Sequence, residues 1–329
     1  MEPERFFTRW DCTAEVSEIF RTIEEKIGEM QLTVGRNPCP EVQIGPHCDN
    51  PYGCPLKDQC WGFLPEHSVM NLYRGKAKGF DLLGLEETQM KDIPSGFALT
   101  ANQRVQVKSL RSGKPRVSKP ALRRFLEGLE YPVHYVDFET FSTAIPLFDG
   151  LRPFQRVPFQ FSLHIQRSPD AELDHHSFLA DGRGDPRREF MERLRESVDE
   201  AGSLVTYNAA FEKGVLKECA DSMPEFQPWV DSLKGRFVDL LQPFRAFRYY
   251  HPSQRGSASM KSVLPALTGE GYENLAIQDG EAASREYVRV TFREVAEEDR
   301  DRVRRDLEIY CGLDTEGMWQ IVTALTELA

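Results

Sequence analysis

The sequence predicts a mixed α/β fold, a central sheet covered by helices, and three observations carry that prediction. Strand-like runs are concentrated between residues 133 and 207, helical periods follow them, and one long helical period closes the chain. With 329 residues, 40% hydrophobic and 28% charged, the chain can build a large core and still hold a second, smaller region.

Residues 13–30 place Val16, Ile19, Phe20, Ile23 and Ile27 at helical spacing, with Thr13 positioned as N-cap. A turn-rich segment runs from Gly35 to about Gly62, and residues 66–90 read as short helical pieces. Between Ile93 and Leu126 there are eight basic residues and no acidic one. The stretch SLRSGKPRVSKP inside it reads as a loop or linker, so the boundary between a first region, 1–118, and a second, 119–329, falls there. VHYVDFETF, FQFSLHI (159–165) and LDHHSFL (173–179) are strand-like. PRREFMERLRESVDE (186–200) is helical, with Pro186 at its first turn. SLVTY (203–207) is a short buried strand leading into a helix over 208–220, FVDLL (237–241) is a strand or helix entry, and the last helix spans about Glu297 to Leu328.

Lys plus Arg number 41 against 52 Asp plus Glu, a net charge of −11, which excludes a uniformly basic coat for nucleic acid. Contact with nucleic acid then needs a local patch. The basic strip with Arg104, Lys108 and Arg111 is one candidate, the alternative being a solvated linker. The loop Tyr249–Gly256, with Arg255, mixes aromatics and Arg as single-strand contacts do, or else packs its own tyrosines. There is no signal-peptide core and no run long enough to be a membrane helix, and the seven cysteines do not read as a disulfide framework. A cytoplasmic protein is expected.

Three segments carry the chemistry. Asp137 and Glu139 stand two apart on a predicted strand, so their side chains leave one face while Val136 and Phe138 point into apolar packing. Glu212 falls in the first turn of a helix directly after a strand, within YNAAFE (207–212), where a negative charge also suits the helix dipole. Tyr310 and Asp314 share a face of the final helix at i, i+4 spacing, in a neighbourhood apolar enough to be partly buried. Carboxylates converging on one spot repel one another unless a cation neutralises them, and hard oxygen donors favour Mg²⁺ or Mn²⁺. Two such ions, about 3.5–4 Å apart, suit phosphodiester hydrolysis. His175 and His176 are adjacent on a strand and face opposite ways, which argues against a metal pair, and Asp239 reads as structural rather than as a further acid.

DFET (137–140), YNAAFE (207–212) and Y-x-x-x-D (310–314) resemble the three exonuclease motifs of the DEDD superfamily, tyrosine subtype. Residues 131–329 resemble more closely the uncharacterised bacterial domain of unknown function 2779. The resemblance implies a ribonuclease H-like domain and a 3′–5′ exonuclease acting on single-stranded DNA, favoured over RNA. It implies Asp137 as the acid shared by both metals, Glu139 and Asp314 as ligands of the first, and Tyr310 as the group that orients the attacking water. Glu212 occupies the position of the second motif's acid, where the superfamily usually has Asp; activity is expected to survive the longer side chain. Asn208 and Lys261 join Arg255 and the basic strip as candidate nucleic-acid contacts, and a nuclease or helicase is a possible partner. The rival reading is a catalytically inactive nucleic-acid-binding subunit of a larger complex.

Cys39, Cys48, Cys54 and Cys60 fall within 22 residues, a spacing compatible with a tetrahedral zinc site or an iron–sulfur cluster; the fourth ligand is Cys39, or His47 for zinc alone. The segment PEVQIGPHCDNPYGCPLKDQCW resembles the tail of a Cas4- or RecB-like nuclease, which favours a 4Fe–4S cluster with a structural role. Since only 38 residues precede Cys39, the resemblance further implies that the catalytic core of that first nuclease is missing.

Overall fold

The computed structural model describes residues 8–38 and 40–329, and the chain divides into two units after Pro65. In the first unit α1 (Thr13–Val34) follows the expected period, but none of its residues is buried: Val16, Ile19, Phe20 and Ile27 are all exposed. Its start is fixed differently from expectation. The Asp11 carboxylate accepts from the Thr13 amide at 3.0 Å and from the Thr13 hydroxyl at 2.6 Å, so Thr13 is the first helical residue and not its cap. A 3₁₀ turn (Pro46–Asp49) and α2 (Lys57–Trp61) complete this unit.

The second unit opens with α3 (Lys76–Leu83) and α4 (Ala101–Ser112). The first four residues of the stretch expected to be a linker are the end of α4. Thr100 caps that helix together with Gln103, and Gly113, at φ 64°, ends it. Arg116–Val117 then forms β1, which pairs antiparallel with Tyr249–Tyr250. The Gln106 side chain spans the Asn71 carbonyl (2.7 Å) and the Tyr73 amide (2.8 Å). Residues 66–118 are thus held together by side-chain bonds and joined to the rest of the unit by the β1 pairing, which is why the compact units part after Pro65 and not at 118.

After α5 (Lys119–Leu126) come β2 (Val133–Phe141), β3 (Val157–Gln166) and β4 (Leu173–Leu179), an antiparallel run in which β3 lies between the other two. The chain crosses over through α6 (Arg187–Ser197) to β5 (Leu204–Thr206), parallel to β2 on its other edge. Helices α7 (Ala210–Ser222) and α8 (Gln227–Leu233) lead to β6 (Phe237–Asp239), parallel to β5. A short α9 (Gln242–Arg245), β7 (Tyr249–Tyr250), α10 (Met260–Thr268), α11 (Gly280–Phe292) and α12 (Glu297–Leu328) complete the unit. The main sheet therefore runs β4-β3-β2-β5-β6, with β2 at its centre.

Strand alternation sends β2 into two cores. Val136 and Phe138 join Phe161, Leu163, Phe190, Met191 and Leu216 on one face. Tyr135 and Phe141 join Phe159, Leu264, Tyr287, Met318 and Ile321 on the other, where Phe159 stacks on Tyr287 at 3.9 Å. Each fully buried aromatic or aliphatic side chain contributes about 1.5–3 kcal/mol. With both faces covered, every residue of β3 is buried. Its polar alternates bond inward to α12: Gln160 donates to the Leu307 carbonyl (2.9 Å), while Ser162 and His164 both meet the Thr315 hydroxyl at 2.7 Å. Among the described residues no helix is long and apolar enough to cross a membrane.

Candidate metal-binding and catalytic site

Asp137 and Glu139 lie on the β2 face that carries Tyr135 and Phe141, so they point at α12. A register shift between Glu139 and Thr140 ends the regular pairing with β3 just past the second acid. Helix α12 crosses this face and lowers Asp314 onto it. A Cβ at Gly317 would come within 2.9 Å of Leu264, so glycine there lets α10 and α12 close together. One carboxylate oxygen from each of Asp137, Glu139 and Asp314 lies within 4.8 Å of the other two. Glu139 and Asp314 are 7% and 6% exposed, which leaves little water to screen them.

The electrostatic consequence is protonation. Burial, then the charges of Asp314, Glu139 and Glu212, push Asp137 well above the ordinary carboxylate range. Burial and the charge of Asp314 push Glu139 up to about 8, with Lys261 opposing. Asp314 is pushed up to about 7 by burial, held down in part by the hydroxyls of Tyr272 and Tyr310 and by Lys261. The donor set fits hard divalent cations, which would restore the ionised state of acids that otherwise hold protons near neutrality.

Glu212, at the start of α7, is 1% exposed and stands outside the close group of three, although its charge reaches Asp137 and Glu139. Burial pushes it up to about 8, and its Oε2 has no hydrogen-bond partner. An orphaned buried carboxylate oxygen beside three clustered acids is the arrangement a further cation would relieve. Tyr310, one turn before Asp314, is 5% exposed; burial and Asp314 drive its phenol far above the ordinary range, so it stays a neutral hydroxyl.

Sequence reasoning missed two neighbours. Tyr272, in the loop between α10 and α11, donates its hydroxyl to Asp314 Oδ1 at 2.5 Å. Nothing local marks it: GEGYENL has no period, and the contact spans 42 residues. Cys311, expected to be an ordinary thiol, lies 3.8 Å from Asp137 Oδ2, and burial pushes it well up. Its position three before Asp314, on the same helical face, was the available signal.

The remaining candidates separate. Lys261 is exposed, with its ammonium 5.8 Å from the Tyr272 ring centre. Asn208, at φ 81°, links β5 to α7; its amide donates to Asp239, which also accepts from the Leu241 amide, a bracing role for that acid. Arg255 pairs with Glu66 at 3.0 Å, while Tyr249 and Tyr250 pack inward against Phe244 and Phe247. Arg104 donates to the Leu99 carbonyl, and Arg111 donates to those of Lys91 and Ile93. With Lys108 they border a cleft of about 550 Å³ that none of the clustered acids lines. His175 stacks on His164 at 4.2 Å and meets the Ser162 hydroxyl at 2.9 Å.

Cys39 lies outside the described residues. The Cys54 amide donates to the Cys48 carbonyl at 2.8 Å, yet the thiols of Cys48, Cys54 and Cys60 do not gather within 4.8 Å as a group of three.

Fold and site define a class: a mixed α/β protein with a buried carboxylate cluster between its central strand and its last helix. Residues 134–259 match the family described as Domain of unknown function (DUF2779), a span that holds Asp137, Glu139 and Glu212 and stops before Tyr310 and Asp314. The chain is 25% identical over 216 residues to the uncharacterised protein MG366 of Mycoplasma genitalium, covering 59% of this chain and 32% of that protein. It is 26% identical over 208 residues to the homologue in Mycoplasma pneumoniae, covering 56% and 30%. The chain thus spans about a third of the length of these curated relatives. No solved structure matches it significantly.

Proposed function

We propose that this protein is a metal-dependent 3′–5′ exonuclease of single-stranded nucleic acid, DNA favoured over RNA, built on a ribonuclease H-like domain. One observation carries the reading: Asp137, Glu139 and Asp314, from a strand and a helix 175 residues further on, bring carboxylate oxygens within 4.8 Å, with Tyr310 one turn away. A three-strand antiparallel run followed by parallel β5 and β6 supports the fold assignment.

When bound, two divalent ions would supply a nucleophilic water and charge neutralisation for the leaving oxygen. Asp137, Glu139 and Asp314 would hold them, with Glu212 on the outer side. Tyr272 fixes the Asp314 carboxylate through its hydroxyl bond. Tyr310, kept neutral by its surroundings, can donate a hydrogen bond to the attacking water or the phosphate. A structural zinc or iron–sulfur site at Cys48, Cys54 and Cys60 is a separate proposal resting on their spacing; it would require the thiols to draw together, and metal analysis of the purified protein tests it.

An end-labelled oligonucleotide assay with Mg²⁺, Mn²⁺ or EDTA tests the activity, using DNA and RNA and running wild type beside Asp137→Ala and Asp314→Asn. Stepwise loss from the 3′ end, abolished by EDTA and by both substitutions, is expected. Binding without cleavage in either metal would replace the enzyme with the binding-subunit reading.

A further inference from the structure

At the start of α10 lies a groove of about 420 Å³ that none of the clustered acids lines, with Tyr73 and Arg74 on one bank and Tyr207, Asn208, Arg245 and Met260 among the residues opposite. Its connection to the acids is geometric. Asp314 bonds Tyr272, the Tyr272 ring lies under the Lys261 ammonium, and Lys261 follows Met260 at the start of α10. The banks are joined by the Tyr73 hydroxyl, 3.5 Å from the Arg245 carbonyl, and the second bank is braced by the Tyr207 hydroxyl, which donates to the Ala258 carbonyl at 2.7 Å.

The cations of this groove differ from those of the basic strip. Arg104 and Arg111 spend their guanidiniums on backbone carbonyls, and Arg255 is paired with Glu66. Arg74 and Arg245 are both exposed, and among the described residues neither forms an ion pair or a guanidinium hydrogen bond; Arg74 only leans on the Tyr73 ring at 5.3 Å. In a chain of net charge −11, two uncommitted guanidiniums facing one groove beside tyrosine rings form a local cationic, aromatic surface. Single strands are held by this combination: cations follow the phosphates while aromatic faces take the bases.

We infer that the Tyr73–Arg74/Arg245 groove binds the single strand behind the scissile phosphate, with Arg74 and Arg245 each contacting a backbone phosphate. The inference rests on the nuclease reading for its location but not for its test. It also accounts for residues 66–118, because the turn that carries Tyr73 and Arg74 precedes the family-matched span and supplies half of the strand path.

The experiment uses the full chain and two double variants, Arg74→Gln with Arg245→Gln, and Arg74→Lys with Arg245→Lys. Fluorescence anisotropy with a labelled oligo-dT in EDTA measures binding across a salt series. Turnover of thymidine 5′-monophosphate p-nitrophenyl ester, which has no upstream phosphate, measures the acidic site alone. The glutamine pair is expected to weaken oligonucleotide binding at least about tenfold and to lower the salt slope by about 2, while the lysine pair keeps the slope. Ester turnover is expected to stay at the wild-type level in both. Unchanged affinity and slope in the glutamine pair, or no oligonucleotide binding by the wild type, would overturn the groove assignment. Failure of wild-type turnover with intact binding would strike the nuclease reading alone, with the anisotropy comparison still deciding the groove.

Discussion

Replacing Glu139 with Gln is expected to stabilise the protein in EDTA, and to do so more as pH rises. In the folded protein Glu139 is raised from 4.5 to about 8. Between those values the unfolded chain has released its proton and the folded chain still holds one. Stability is therefore lost as pH climbs through this window, and the Gln variant does not share that loss. The displacement corresponds to about 4 kcal/mol by pH 8, of which about 3 kcal/mol accrues above pH 5.5. Urea unfolding of wild type and Glu139→Gln at about pH 5.5 and 8 reads the combined difference, since removing the Glu139 charge also relieves Asp137. Millimolar Mn²⁺ should shrink or reverse the gap, because a cation favours the ionised cluster and the variant lacks one ligand; saturation at 100-fold over Kd contributes about 2.7 kcal/mol. A gap of the same size at both pH values would refute the account of the acids as a mutually repelling, desolvated group.

Tyr272→Phe removes the hydroxyl that holds Asp314, and a 10–100-fold loss of Mn²⁺ affinity is expected, read from the metal dependence of the melting temperature; unchanged affinity would make that bond incidental. Glu212→Asp should retain exonuclease cleavage in the end-labelled assay, whereas Glu212→Ala should lose it; an active Ala variant would remove Glu212 from the site. Gly202→Ala should cost at least about 2 kcal/mol by urea unfolding. Its φ is 89°, and an added Cβ would sit 1.9 Å from the Pro132 carbonyl oxygen at the entry to β2.

Elements whose own residues carry a clean period were legible in the sequence. LDHHSFL and the closing helix have the observed bounds, Leu173–Leu179 and Glu297–Leu328; neither is interrupted by proline, and from Val303 onward the helix buries residues at helical spacing. Helix α4 was lost for a physical reason. Its buried positions include Gln103 and Gln106, which bury by hydrogen bonding and not by apolar transfer, so no hydrophobic period marks them. Helix α1 shows the reverse: the period is present, but its apolar positions remain exposed, so periodicity predicted the helix without predicting burial. The three clustered acids were readable because each sits on a regular element whose geometry fixes its direction. Tyr272, on an irregular loop, and the uncommitted state of Arg74 and Arg245 depend on partners distant in sequence.

The location of the acids explains why the fold can tolerate them. Three carboxylates that repel in a desolvated space push apart whatever carries them, so a loop would open. Here two are on the central strand, held between β3 and β5 and packed on both faces, and the third is on a helix anchored to the sheet by Leu307, Met318 and Ile321. The same α12 is also tied to β3 through Gln160, Ser162 and His164. Relaxing the repulsion by moving Asp314 away would break those buried bonds and open the core beside Phe159 and Tyr287. The repulsion is thus relieved by protonation and not by movement of the elements.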